Sequence, residues 1–107
     1  KVPAQAQWLV IAGQVGIAKN GKLARGISRQ AEQCYRNILS CLKANGMTKG
    51  DLVKTTVYLT DARHVPEFRV ARDKVMGADT RPTSTLLIID GLADPEMLIE
   101  IEAWAAH

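Results

Sequence analysis

Apolar and polar positions alternate along this chain in blocks whose spacing changes from element to element. Trp8-Leu9-Val10-Ile11-Ala12 is apolar on both sides of an extended backbone, the pattern of a strand with neither face in bulk water. Gly13 and Gly16 punctuate the chain around Gln14, and Lys19-Asn20-Gly21-Lys22 carries the Asn-Gly signature of a tight turn. After Ser28, a candidate N-cap, Ala31, Cys34, Tyr35, Ile38, Cys41 and Leu42 recur at the three-and-four spacing of a helix with one buried face. Asn45-Gly46 supplies a left-handed stop. Val53, Thr55, Val57 and Leu59 then alternate with Lys54, Thr56, Tyr58 and Thr60, which predicts a strand. Pro66 fits the first turn of a second helix, with Phe68, Ala71, Arg72 and Val75 on its inward stripe and Arg69 and Asp73 pointing away. Gly77 closes that helix. A strand from Thr83, a loop with Asp90-Gly91 and Asp94-Pro95, and a strand ending near Ala105 complete the series.

This order predicts an α+β fold, an α/β sandwich in which two helices cover one face of a sheet. In the final strand Ile99, Ile101, Ala103 and Ala105 form a row that suits the helices. Leu98, Glu100, Glu102 and Trp104 form the opposite row, which beside Trp8 and Leu86 would leave a large apolar patch exposed in an isolated domain. Further copies of the chain are the simplest cover, so an oligomer is expected. Charge inside a β-segment is costly unless it meets water, a partner or a ligand, so the two glutamates mark a candidate site.

Composition narrows the classes. The 107 residues predict one domain over 1–107, and 47% hydrophobic with 23% charged residues is ordinary for a globular protein. No apolar run approaches the roughly 18 residues of a spanning helix, so no membrane partner is expected. The net charge of +3 is scattered, with Lys22, Arg25 and Arg29 the nearest approach to a patch, which argues against nucleic acid as a partner. Cys34 and Cys41 would lie about 10 Å apart along a helix axis, too far for a disulfide. Two unpaired thiols in a core suit a reducing compartment, so a cytoplasmic location is expected. His64 and His107 have no ligand neighbours in sequence, and neither a metal nor a cofactor is expected. What precedes Lys1 is left open.

An ordered series of short segments adds a resemblance. Ala12-Gly13-Gln14-Val15, Gln30-Ala31-Glu32-Gln33, Arg36-Asn37-Ile38-Leu39, Ala44-Asn45-Gly46, the run from Asp51 to Asp61, and Pro82 to Ala105 with its Glu100-Ile101-Glu102-Ala103 resemble the Rid family, also called the YjgF or L-PSP endoribonuclease family. The resemblance implies a chorismate-mutase-like fold and a homotrimer whose sheets form a central barrel, with ligand pockets between adjacent subunits. In deaminating members a pocket arginine holds the carboxylate of a 2-imino or 2-amino acrylate. Backbone groups near a strand-ending glycine and a glutamate place the water that hydrolyses the imine. Carried over to this chain, the glycine is Gly13, the glutamate is Glu100, and the arginine position is Ser84 of Pro82-Thr83-Ser84-Thr85. A serine hydroxyl cannot supply the planar fork that suits arginine to a carboxylate. The family's N-terminal Gly-Pro-Tyr is also unmatched in Lys1 to Gln7.

Glu100 is the catalytic candidate, as the group that positions water; the alternative is a carboxylate that only bonds a neighbouring subunit. Arg72 is the candidate to hold the anion in place of Ser84; the alternative is a side chain snorkelling along the helix edge. Arg81, at an odd offset from Ser84, is expected on the other side of the strand. Ser84 and Thr85 are candidate donors to a neutral ligand or ordinary sheet residues. Three functions compete: hydrolysis of imines, enamines or related reactive metabolites; non-catalytic binding of a small ligand, such as a carboxylate, on the same scaffold; and RNA cleavage. The last rests on the family's older name alone, and the chain has no His or Lys catalytic cluster.

Overall fold

The computed structural model describes residues 1–107. Four strands, β1 (Trp8–Gln14), β2 (Leu52–Leu59), β3 (Thr83–Ile88) and β4 (Ile99–Ala106), form one sheet in the order β1-β4-β2-β3. β4 runs antiparallel to both β1 and β2, whereas β3 lies parallel to β2. A parallel pair needs a crossover connection, and helix α2 (Val65–Met76) supplies it. With α1 (Ile27–Ala44) it covers one face of this mixed sheet, the α+β arrangement that the element order implies.

The inward rows are those read from the alternation. Val57, Leu59, Ile99, Ile101, Ala103 and Ala105 are fully buried and meet Ala31, Cys34, Ile38 and Leu42 of α1. Each large apolar side chain of this set contributes roughly 1.5–3 kcal/mol by leaving water. From α2, Phe68, Ala71 and Met76 complete the layer, and the Tyr35 and Phe68 rings stack with centroids 6.2 Å apart.

The start of α1 differs from expectation. Gly26, not Ser28, is the N-cap, and with φ 82° it turns the chain into the helix in a conformation that L side chains avoid. Ser28 lies inside the first turn, where its hydroxyl donates to Glu67 of α2 at 3.3 Å. The other end is as read: Gly46 adopts φ 68°, its N–H donates to the Lys43 carbonyl, and the Met47 N–H donates to that of Leu42 at 2.9 Å.

The second face of the sheet carries Trp8, Val10, Trp104 and Leu87, all exposed in the single chain. β1 therefore has one face toward solvent here, with Trp8 53% exposed and set edge-on to Trp104 at 6.0 Å. The fourth member of this patch is Leu87 rather than Leu86. Pairing with buried Val57 turns Leu86 toward the helices, while Leu87 lies opposite Tyr58 on the open face. β3 is apolar at both parities, so its pattern alone carries no register. No helix is long and apolar enough to cross a membrane.

Candidate functional site

The residues singled out by sequence fall into two clusters on opposite faces of the sheet. The first forms where β1 loses register. Ile11 pairs with Ala103, but Gln14 rather than Gly13 pairs with Ile101, so one extra residue bulges from the edge strand. There Gly13 approaches Glu100 so closely that a Cβ would lie 2.6 Å from its Cδ and 2.9 Å from Oε2. Gly13 is not among the glycines with positive φ, so space rather than backbone freedom demands it.

Helix α1 anchors the chain that leaves this bulge. Asn37 Nδ2 donates to the Val15 and Ile17 carbonyls at 3.1 and 3.0 Å, and Cys34 Sγ donates to the Gln14 carbonyl at 3.3 Å. Burial pushes the Cys34 thiol up to about 12, with the Glu100 carboxylate adding to the shift. Cys34 is thus an un-ionised packing group, and both cysteines are free. Gln30, 2% exposed, was visible in sequence only as part of a motif. Its Nε2 donates to the Ala24 and Glu96 carbonyls, both at 3.0 Å, and its Oε1 accepts the Leu98 N–H at 2.9 Å. One amide thereby fastens the loop before α1 to the loop before β4. A glutamine inside an apolar helical stripe was the available signal.

Glu102, one step along from Glu100, accepts the Tyr58 hydroxyl at 2.9 Å, and that hydrogen bond raises the Tyr58 pKa. It is a pairing residue. No group of three His, Cys, Asp or Glu side chains is placed to hold a metal ion.

The second cluster lies on the helix side at the β3 edge. Ser84 pairs with Thr55, and the two hydroxyls are 3.0 Å apart. They line a cleft of about 80 Å³ together with Tyr35, Arg72, Thr80 and Arg81, over apolar Leu52 and Met76. The Arg72 guanidinium sits over the Phe68 ring at 5.9 Å, and its Nε donates to Asp73 Oδ1 at 3.0 Å. Arg81 reaches the same oxygen at 3.5 Å. These two guanidiniums, Arg72 first, hold the Asp73 carboxyl below its usual range.

Asp73 stays off the buried stripe, its side chain 39% exposed, and the guanidinium of its chain neighbour bends onto it. Two expectations change here. Arg81 joins the cleft because β3 begins only at Thr83, so strand alternation does not govern it. Thr85 lies across from Thr56, on the opposite side of β3 from Ser84, and is not in the cleft. Within one chain Ser84 and Arg72 come together, Gly13 and Glu100 come together, and the sheet separates the pairs.

A family model described as Endoribonuclease L-PSP matches residues 2–107. The chain belongs to this family. A RutC family protein of Pyrococcus horikoshii is 34% identical over 100 residues, spanning 92% of this chain and 78% of the relative. A 2-iminobutanoate/2-iminopropanoate deaminase of Salmonella typhimurium is 37% identical over 54 residues, 50% of this chain and 42% of that enzyme. Among solved structures, a putative endoribonuclease of Thermotoga maritima superimposes with a TM-score of 0.86 at 28% identity, covering 94% of this chain and 79% of the other. The L-PSP fold therefore extends through the whole chain. Similarity to this named deaminase spans half of it.

Proposed function

We propose that this L-PSP family protein binds a small carboxylate metabolite in the Ser84–Arg72 cleft and hydrolyses an imine or enamine of that class at a trimer interface. The observation that carries the reading is that Arg72 lines the same cleft as Ser84, supplying a guanidinium where the strand itself has none. Asp73 fixes its Nε, which orients the fork before any ligand arrives. The chemistry then needs a water beside the imine carbon. Glu100 of a neighbouring copy takes a proton as that water attacks, the imine nitrogen is protonated, and collapse of the carbinolamine releases ammonia and leaves the carbonyl product.

An amino-acid oxidase supplying fresh imine, with semicarbazide as a competing trap, tests this. Added protein is expected to lower semicarbazone yield, and Arg72→Ala to abolish most of the effect, by about tenfold or more. Trapping that stays unaffected across several amino acids rejects hydrolysis. One observation favours a second reading, ligand binding without turnover: Ser84 and Glu100 lie on opposite sides of the sheet within a chain. Carboxylate binding by calorimetry with unaltered trapping would establish that alternative. RNA cleavage gains no support, since no His or Lys side chain lines the cleft to act as general acid or base.

A further inference from the structure

Arg72 and Arg81 meet Thr55, Thr80 and Ser84 in one cleft, and no carboxylate lines it. Asp73, itself outside the lining, holds the two guanidiniums as a pair through Arg72 Nε at 3.0 Å and Arg81 Nη1 at 3.5 Å. Arg81 Nη1 also donates to the Thr80 carbonyl at 3.1 Å. These bonds occupy one nitrogen of each guanidinium and leave the others for a ligand. Thr55 Oγ1 donates to Ser84 Oγ at 3.0 Å, so the Ser84 proton is free for the cleft. A carboxylate is flat, has two oxygens, and is satisfied along one edge by a single arginine fork. The second guanidinium and the hydroxyls exceed what such a group can use. They suit an anion whose oxygens project in three dimensions. Charge points the same way, since two guanidiniums against the one carboxylate of Asp73 leave an excess of positive charge beside the cleft.

We propose that this cleft, beyond the carboxylate reading given above, takes a phosphate group, either of a small phosphomonoester or as the free ion, and that phosphate excludes the carboxylate. Arg72 and Arg81 hold two edges of the tetrahedron, and Ser84 and Thr80 donate to the oxygens that remain. A volume of about 80 Å³ accommodates several water-sized groups, and the four oxygens of a phosphate fill places of that size. Arg81 separates the two ligand classes, because a carboxylate on Arg72 leaves it idle and a phosphate engages it. Occupancy by phosphate also removes the free Arg72 fork, so the metabolite site closes as phosphate rises.

Calorimetry on the oligomeric protein in phosphate-free buffer, with inorganic phosphate, methyl phosphate and butanoate, tests this. Wild type is expected to bind at least one of the two phosphates about tenfold more tightly than butanoate and to release butanoate when phosphate is added. Methyl phosphate bound as well as the free ion supports a phosphomonoester, and the free ion bound alone supports inorganic phosphate. Arg81→Ala is expected to weaken phosphate about tenfold and butanoate less than about threefold, and Arg72→Ala to lose both. Arg69→Ala, an exposed position of α2 outside the cleft, is expected to change neither. An Arg81→Ala protein that keeps its phosphate affinity, an Arg69→Ala protein that loses as much, or a wild type that binds phosphate no more tightly than butanoate overturns the phosphate site and leaves the carboxylate reading standing. Phosphate bound without butanoate overturns the carboxylate reading alone. A wild type that binds none of the three overturns both.

Discussion

At the scale of single residues, contact distances separate glycines that hold a backbone shape from one that makes room. Gly13 has an ordinary backbone and a carboxylate where a Cβ would go. The obstacle is the mobile end of Glu100 rather than main chain, so Gly13→Ala is expected to fold with a stability loss below about 1 kcal/mol while displacing that carboxylate. In the semicarbazide assay it should therefore lose activity to the extent that Glu100→Gln does; a fully active Gly13→Ala would show that the carboxylate position is immaterial. Both residues were legible in sequence through the resemblance, and Arg72 through its place on a helical stripe. Tyr35 stands in the sequence as one more core position, since a periodic pattern registers the ring and says nothing about the cleft beside it. Arg81 escaped for another reason: it precedes β3, so strand alternation does not set its direction.

At the scale of elements, capping interactions illustrate what local sequence encodes. Asp61 caps the turn leading into α2, accepting the Arg63 N–H at 2.8 Å and its guanidinium at 2.7 Å. These bonds, with the side chain of Arg63 contributing most, lower the Asp61 pKa from 3.8 to about 2. A folded-state value below the unfolded one means stabilisation that is complete above 3.8 and disappears as pH falls through about 2. Arg63→Ala should accordingly melt below wild type at neutral pH, with the difference closing across that acidic window; a gap that persists below it would assign the effect to something other than this carboxylate. The C-terminal end of α1 was legible because Asn45-Gly46 names its own geometry. Its N-terminal end was not, because Gly26 caps through φ alone and Ser28 offered a better-known signal. β3 shows the same limit, since Leu86-Leu87-Ile88 is apolar at every position and only pairing with β2 decides which side faces the helices.

At the scale of the whole molecule, the element order specified the layers and left one face of the sheet without cover. Trp8, Val10, Leu87 and Trp104 on that face suit the trimeric barrel that the resemblance implies. The two clusters also lie toward opposite edges of the sheet, Gly13 on edge strand β1 and Ser84 on edge strand β3. That polarity bears on how copies can cooperate. An isologous dimer sets each edge against its own like, whereas a closed head-to-tail ring sets the β1 end of each chain against the β3 end of the next. Every seam of such a ring would hold one complete site made of two incomplete ones. Two inactive proteins, Glu100→Gln and Arg72→Ala, should then regain imine hydrolysis when unfolded together and reassembled as mixed rings. Mixing without subunit exchange should restore nothing, and mixed rings as inactive as their parents would place both residues in the site of a single chain. The bulge at Gly13 thus bears on heredity as well as geometry: damage at one edge would be recessive in a mixed assembly, because a defective copy silences only one seam and still completes a site through its other edge.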